Sequence, residues 1–204
     1  MTLQDLIEQL NSPDAEVRQQ AALALMDLAD PTSRDALIAS LQDESADVRR
    51  AVVRALSAIN DDASAIAIVG MLPDRTPKVR RRVVSWLLKY ADRKAIVPIL
   101  LKLAADETLD YGGRDYAIMA LGQGVHHEGV PLLADLLQNG PTPIRRRIAH
   151  SLMRLADERS VPALTHALAD ADAVVRKIAA EALRQIGNEA ALAALANQQE
   201  DHTE

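Results

Sequence analysis

The sequence predicts an all-α fold, a right-handed α-solenoid of six tandem helical hairpins of about 31 residues each. Three features predict it: a dipeptide that recurs at nearly constant spacing, leucines in fixed register around that dipeptide, and an apolar composition with few aromatic rings.

The dipeptide is a branched residue followed by Arg: Val17-Arg18, Val48-Arg49, Val79-Arg80, Ile144-Arg145 and Val175-Arg176, with Gly113-Arg114 filling the remaining slot. The arginines are spaced by 31, 31, 34, 31 and 31 residues. Seven residues after each stands a leucine: Leu25, Leu56, Leu87, Leu121, Leu152 and Leu183. Eight residues before stands another: Leu10, Leu41, Leu72, Leu137 and Leu168. In the fourth repeat that leucine is Leu103, eleven residues upstream, which places a three-residue insertion between Ala104 and Gly113. Each unit carries a short first helical pattern, with Pro98, Pro131 and Pro162 in first turns where proline is tolerated. A longer second pattern starts near the Val-Arg pair, and turn and N-cap residues such as Ser12-Pro13-Asp14 separate the two. A hairpin this short cannot bury its apolar face alone, so neighbours must stack into one continuous core.

Composition agrees. The chain has 204 residues, 49 % of them apolar, yet no Phe, one Trp and three Tyr. Small and branched side chains suit close helix packing and suit a β-sandwich poorly. The net charge of −6 argues against bulk attraction to nucleic acid or to an anionic membrane. With no cysteine there is neither a disulfide framework nor a thiolate metal site nor a Cys nucleophile. The first ten residues lack the basic start and apolar run of a signal peptide, and no stretch approaches the roughly 18 apolar residues of a membrane span. The expectation is a cytoplasmic protein with one solenoid domain over 1–197 and a polar tail over 198–204.

The best-formed unit contains Ser160-Val161-Pro162-Ala163-Leu164, then Val175-Arg176 and Ala179-Ala180-Glu181-Ala182-Leu183. It resembles the HEAT-like repeat of the phycobilisome-lyase class, and the resemblance extends over nearly the whole chain. Tyr111, Arg114 and Ala117-Ile118 also resemble a Tyr-x-x-Arg-x-x-Ala-Ile segment of phycobilin lyase subunits. The resemblance implies the solenoid fold directly. It implies function only loosely, because one repeat serves many scaffolds.

At about 100° per residue, the second helix places positions −1, +3, +4, +7 and +10 from the recurring Arg on the core side. Positions +1, +2, +5 and +9 fall away from it and should line a concave floor. Of those 24 positions nine are Lys or Arg and three are Asp or Glu, on a chain whose net charge is negative. The candidate partner-binding residues are Arg50, Arg54, Arg81, Arg82, Lys89, Arg146, Arg147, His150 and Arg154 on this floor, with Tyr111 and Tyr116 of the irregular fourth repeat. A basic concavity on an acidic protein steers acidic ligands, and arginine grips carboxylates or phosphates bidentately. Solvation of a helix face is the competing reading. The arginines at position zero sit at the core margin and are expected to pair with Asp43, Asp74, Asn139 and Asp170 at repeat junctions. Trp86, where other repeats carry Ala or Ser, either packs or offers a surface anchor.

Catalytic constellations are scarce. His126-His127-Glu128 is the one dense His/carboxylate cluster, and adjacent histidines do not share a helix face as a zinc-binding i, i+4 pair does. The leading expectation is therefore a non-catalytic protein–protein interaction scaffold that holds an acidic protein surface in a basic concave groove, without cofactor. The resemblance implies an alternative, a phycobilin lyase or bilin-handling subunit acting on phycobiliproteins. There the arginines would grip bilin propionates and Tyr111 and Tyr116 would border the tetrapyrrole. A second alternative is nucleic-acid binding through arginine–phosphate contacts, against which the acidic balance and the scarcity of aromatics both count.

Overall fold

The computed structural model describes residues 1–201, and the side chains of all of these except Tyr111 and residues 199–201. Among the described residues there are thirteen α-helices and no strand. The chain is an α-solenoid. Its contacts sort into two compact units, residues 1–90 and residues from Ala91 onward. The division falls at the junction before the irregular fourth repeat, and each unit is described by itself.

The first unit holds α1 (Leu3–Gln9), α2 (Ala15–Leu28), α3 (Arg34–Ala39), α4 (Ala46–Ile59), α5 (Asp62–Val69) and α6 (Pro77–Tyr90). The second holds α7 (Val97–Ala105), α8 (Tyr111–Gln123), α9 (Val130–Asn139), α10 (Thr142–Leu155), α11 (Val161–Ala167), α12 (Ala173–Ile186) and α13 (Glu189–Asp201). Short 3₁₀ turns precede several of the odd-numbered helices. In the first unit the second helices pack successively, α2 on α4 and α4 on α6, with α3 on α4 and α5 on α6. In the second unit α8, α10 and α12 do the same, flanked by α7, α9 and α11. Each second helix starts three residues before its recurring Arg, the fourth repeat included. The insertion is therefore absorbed wholly in the loop between α7 and α8, where Asp106 accepts hydrogen bonds from Thr108 and Asp110 caps α8 at Gly113 N–H.

Caps fix the helix starts. Asp14, Asp61 and Asp172 accept amide hydrogens from the first turns of α2, α5 and α12, and Thr2 forms a capping box with Asp5. The leucines seven residues after each Arg are fully buried in all six repeats. Truncating any one to Ala would cost about 2–5 kcal/mol. No described helix is long and apolar enough to cross a membrane.

Three of the six recurring arginines join successive turns, while among the described residues Arg80 and Arg176 hold only carbonyls of the turn before their own helix. The Arg18 Nε and Nη2 donate to Asp43, 25 residues on, at 2.6 and 3.0 Å, while its Nη1 donates to the carbonyls of Ser12 and Pro13 in its own turn. Arg49 repeats this on Asp74 and on the carbonyls of Asp43 and Glu44. Arg145 repeats it on Asp170 and the Gly140 carbonyl. Each aspartate also accepts the amide two residues on: Ser45 on Asp43, Thr76 on Asp74, Asp172 on Asp170. Asp43, Asp74 and Asp170 thus take the expected role. Asn139 does not. Its amide donates within its own helix to the Asp135 carbonyl, and Arg114 instead donates through Nε to Ala104, its Nη2 buried without a partner. A neutral amide offers a single acceptor oxygen and no charge, so it cannot replace the two-point grip of a carboxylate.

Two further features add to the sequence reading. Helix α13 continues through Asp201, past the boundary expected at 197, and packs on α11 and α12 with Ala191 fully buried and Gln198 donating to the Leu168 carbonyl. Residues 202–204 of the expected tail lie outside the described residues. In addition, α8 and α10 approach so closely at Gly122 that a Cβ there would lie 2.7 Å from the Ser151 Cα, beside the Ser151 Oγ–Ile118 carbonyl hydrogen bond. Gly122→Ala is therefore expected to destabilise the protein by about 1–3 kcal/mol through overpacking, read as a lowered denaturation midpoint.

The Arg49–Asp74 pair is also testable. Both side chains are 4 % exposed, so Arg49→Met strands a buried carboxylate and should cost about 3 kcal/mol. Burial pushes the Asp74 carboxyl up, but hydrogen bonds from Arg49 and the Thr76 amide outweigh it and leave its pKa below the ordinary 3.8. The unfolded chain then takes up this proton first, so the contribution is complete above pH 3.8 and is lost as pH falls through the lower folded value. Urea midpoints measured from about pH 5 down to about pH 3 should fall less steeply for Asp74→Asn than for the wild type.

Candidate functional site

The expected basic floor is not uniform once each side chain has its neighbours. In the second unit its strongest members are neutralised. Arg146 makes a two-point contact with Asp172, at 2.9 and 2.6 Å, and Arg147 meets Asp115 at 2.7 Å. The Arg146 guanidinium pulls the Asp172 carboxyl well below the usual carboxylate range. His150 and Arg154 are exposed on α10. Tyr116 is half-buried on α8, and Tyr111 opens that helix, its side chain lying outside the described residues. Position +2 is not always floor: Ala51 and Ile178, which occupy it, are buried.

The first unit is different. Arg50 lies 3.5 Å from Asp47, a carboxylate that Lys78 also holds at 2.8 Å. Arg54, Arg81, Arg82 and Lys89, however, have no carboxylate within ion-pair distance among the described residues. Arg54, Arg82 and Lys89 line one pocket of about 360 Å³ at α4 and α6, whose lining also includes Met26, Trp86 and Tyr90. No Asp or Glu lines it. Burial, and then the neighbouring Arg54, push the Arg82 pKa below its ordinary value. The Arg82 Nε is buried with no hydrogen-bond partner.

Trp86 decides its earlier alternatives in favour of packing. It is 4 % exposed, its ring centre 5.1 Å from that of Tyr90, and Lys89 Nζ lies 5.1 Å over the Tyr90 ring. Its indole Nε1 is buried and also lacks a partner. Tyr90 was not among the sequence candidates. The signal was its place four residues after Trp86, which puts both rings on one helix face.

The histidine cluster separates. His126 is buried, its Nε2 2.5 Å from the Ala91 carbonyl, whereas the Nδ1 of the exposed His127 lies 2.7 Å from Asp157. Hydrogen bonds from Arg159 and His127, with Arg159 the stronger, hold the Asp157 carboxyl far below the carboxylate range. These are contacts at a repeat junction. Among the described residues no group of three His, Asp or Glu is placed to hold a metal ion.

Comparison with known proteins bears on the fold. The family model for HEAT repeats matches residues 3–89, 67–153, 97–184 and 130–203. No curated protein matches the chain. Among solved structures, an engineered protein superposes with a TM-score of 0.53 at 23 % identity, covering 92 % of this chain and 97 % of its own. A designed armadillo repeat protein in complex with the peptide (KR)4 gives 0.52 at 19 %, covering 91 % and 100 %. The CpcE–CpcF complex of phycocyanin lyase from Nostoc sp. PCC7120 gives 0.48 at 25 %, covering 97 % and 81 %.

Because Trp86 is the one tryptophan in the chain, it reports on this site alone. Its burial should give blue-shifted emission that acrylamide quenches weakly, and unfolding should shift the emission to the red and restore quenching.

Proposed function

Since the chain belongs to the HEAT-repeat family, we propose that it is a non-catalytic interaction scaffold whose basic face, formed by α4 and α6 in the first unit, binds an acidic segment of a partner protein. The observation that carries this reading is the set of four cations, Arg54, Arg81, Arg82 and Lys89, left without carboxylate partners on a chain of net charge −6. Such a patch steers an acidic ligand toward one place while the remaining surface repels it. Arginines without counter-ions also keep their fork geometry available for carboxylates, which a pre-formed ion pair would occupy. Relative to the floor expected from sequence, the binding face contracts. Arg146 and Arg147 are committed to Asp172 and Asp115, so they add little net potential.

The test uses a fluorescent poly-glutamate peptide and anisotropy at low and moderate salt. Wild type should bind, and the affinity should fall as salt screens the exposed charges. Arg81→Glu with Arg82→Glu should abolish binding, whereas Arg146→Gln with Arg147→Gln should change it less than about threefold. Equal losses in the two double variants would return the site to the whole floor. Unchanged binding in the first would remove the α4–α6 face from consideration.

A further inference from the structure

We propose that the pocket at α4 and α6 is a phosphate site, which seats the phosphate monoester of a phosphorylated side chain carried on the partner's acidic segment. The inference rests on the reading of this face as the partner-binding surface and names the group that anchors the partner there.

The pocket supplies donors and lacks acceptors of matching charge. Arg54, Arg82 and Lys89 bring three positive charges to a space of about 360 Å³ whose lining contains no carboxylate. A carboxylate side chain would return a single negative charge and two acceptor oxygens. A phosphate monoester brings a charge of roughly −1.5 to −2 with three strong acceptor oxygens, a closer match to three cations on two helices. Two donors of the lining residues, the Nε of Arg82 and the Nε1 of Trp86, are buried with no acceptor in the protein, which leaves this wall short of hydrogen bonds. The hydroxyl of Ser57, also in the lining, is already committed to the Val53 carbonyl. Ser85 stands exposed at the pocket beside the cations.

Like-charge crowding supports the assignment. Arg54 and Arg82 line the same space, and Arg54 adds to burial in depressing the Arg82 pKa, as a neighbouring like charge does. A dianion placed between them turns that repulsion into two attractions. The wall formed by Met26, Trp86 and Tyr90 gives the apolar stem of a phosphorylated residue a surface to lie on.

The experiment compares two short Glu–Gly peptides that differ only at the central position, phosphoserine in one and Glu in the other. Binding is followed by peptide anisotropy and by Trp86 emission, with inorganic phosphate as a competing probe. The expected result is a phosphopeptide affinity at least about tenfold above that of the Glu peptide, an advantage erased by Arg82→Gln and retained by Lys102→Gln on the exposed face of α7. Arg54→Gln, on the neighbouring helix, provides the same test should Arg82→Gln unfold. Equal affinities for the two peptides would overturn the phosphate assignment and leave the acidic-segment reading standing. Failure of both peptides to bind would remove both. Inorganic phosphate binding as tightly as the phosphopeptide would make this a free-phosphate site and overturn the partner assignment.

Discussion

At three of the five junctions between repeats, adjacent hairpins are held in register by one contact, a guanidinium that closes its own turn and grips the aspartate of the next. Arg18, Arg49 and Arg145 each do this, with Nη1 on carbonyls of the turn before their helix and Nε and Nη2 on a carboxylate 25 residues ahead. The aspartate is itself committed to an amide of its own turn, so one ion pair orders two turns at once. A buried fork-to-carboxylate contact has one satisfactory geometry and adds it to the apolar stacking, which carries the junction after Arg114 without it. Its net energy is modest, because both charges are taken out of water. What it supplies is alignment, and every position counted from the arginine, core or surface, inherits that alignment.

This is why so much of the fold was legible. An arginine that must meet an aspartate in the next repeat has to recur at the repeat length, and a leucine seven residues later has to point inward every time. Leu25, Leu56, Leu87, Leu121, Leu152 and Leu183 are all fully buried. The insertion was placed correctly because it shifts Leu103 without shifting Leu121. Helix α13 was not legible as a packed element, since it carries neither the arginine nor the turn and its packing against α11 and α12 is specific to the chain end. The substitution of Asn139 for aspartate was visible, but its effect on Arg114 depends on a charge that a side-chain amide does not have.

The candidate site was half legible for a related reason. Helical angle identifies which residues lie outward, and charge type identifies which are basic. Neither says which charges are already spoken for. Arg147 and Arg82 are alike in sequence terms, both basic and both two residues after the recurring Arg of a second helix. Asp115, on the preceding second helix, reaches Arg147. Arg82 meets Arg54 in place of a carboxylate. The distinction between them lies across a helix–helix contact rather than along a helix, and it leaves Arg54, Arg82 and Lys89 together at one pocket without a carboxylate.

The arginine–aspartate contact also bears on how such a chain can grow. Because the bond runs from one repeat to the same point in the next, a duplicated 31-residue segment that begins and ends at equivalent turns arrives with its donor behind and its acceptor ahead already matched. The segments around Arg18, Arg49 and Arg145 meet that condition. Those around Arg80 and Arg114 do not: among the described residues Arg80 holds only the Asp74 carbonyl of its own turn, and Asn139 follows Arg114. Gain and loss of repeats should therefore be tolerated where the pair recurs and resisted at the two junctions of the fourth repeat, which makes the irregular unit the fixed point of an otherwise extensible chain.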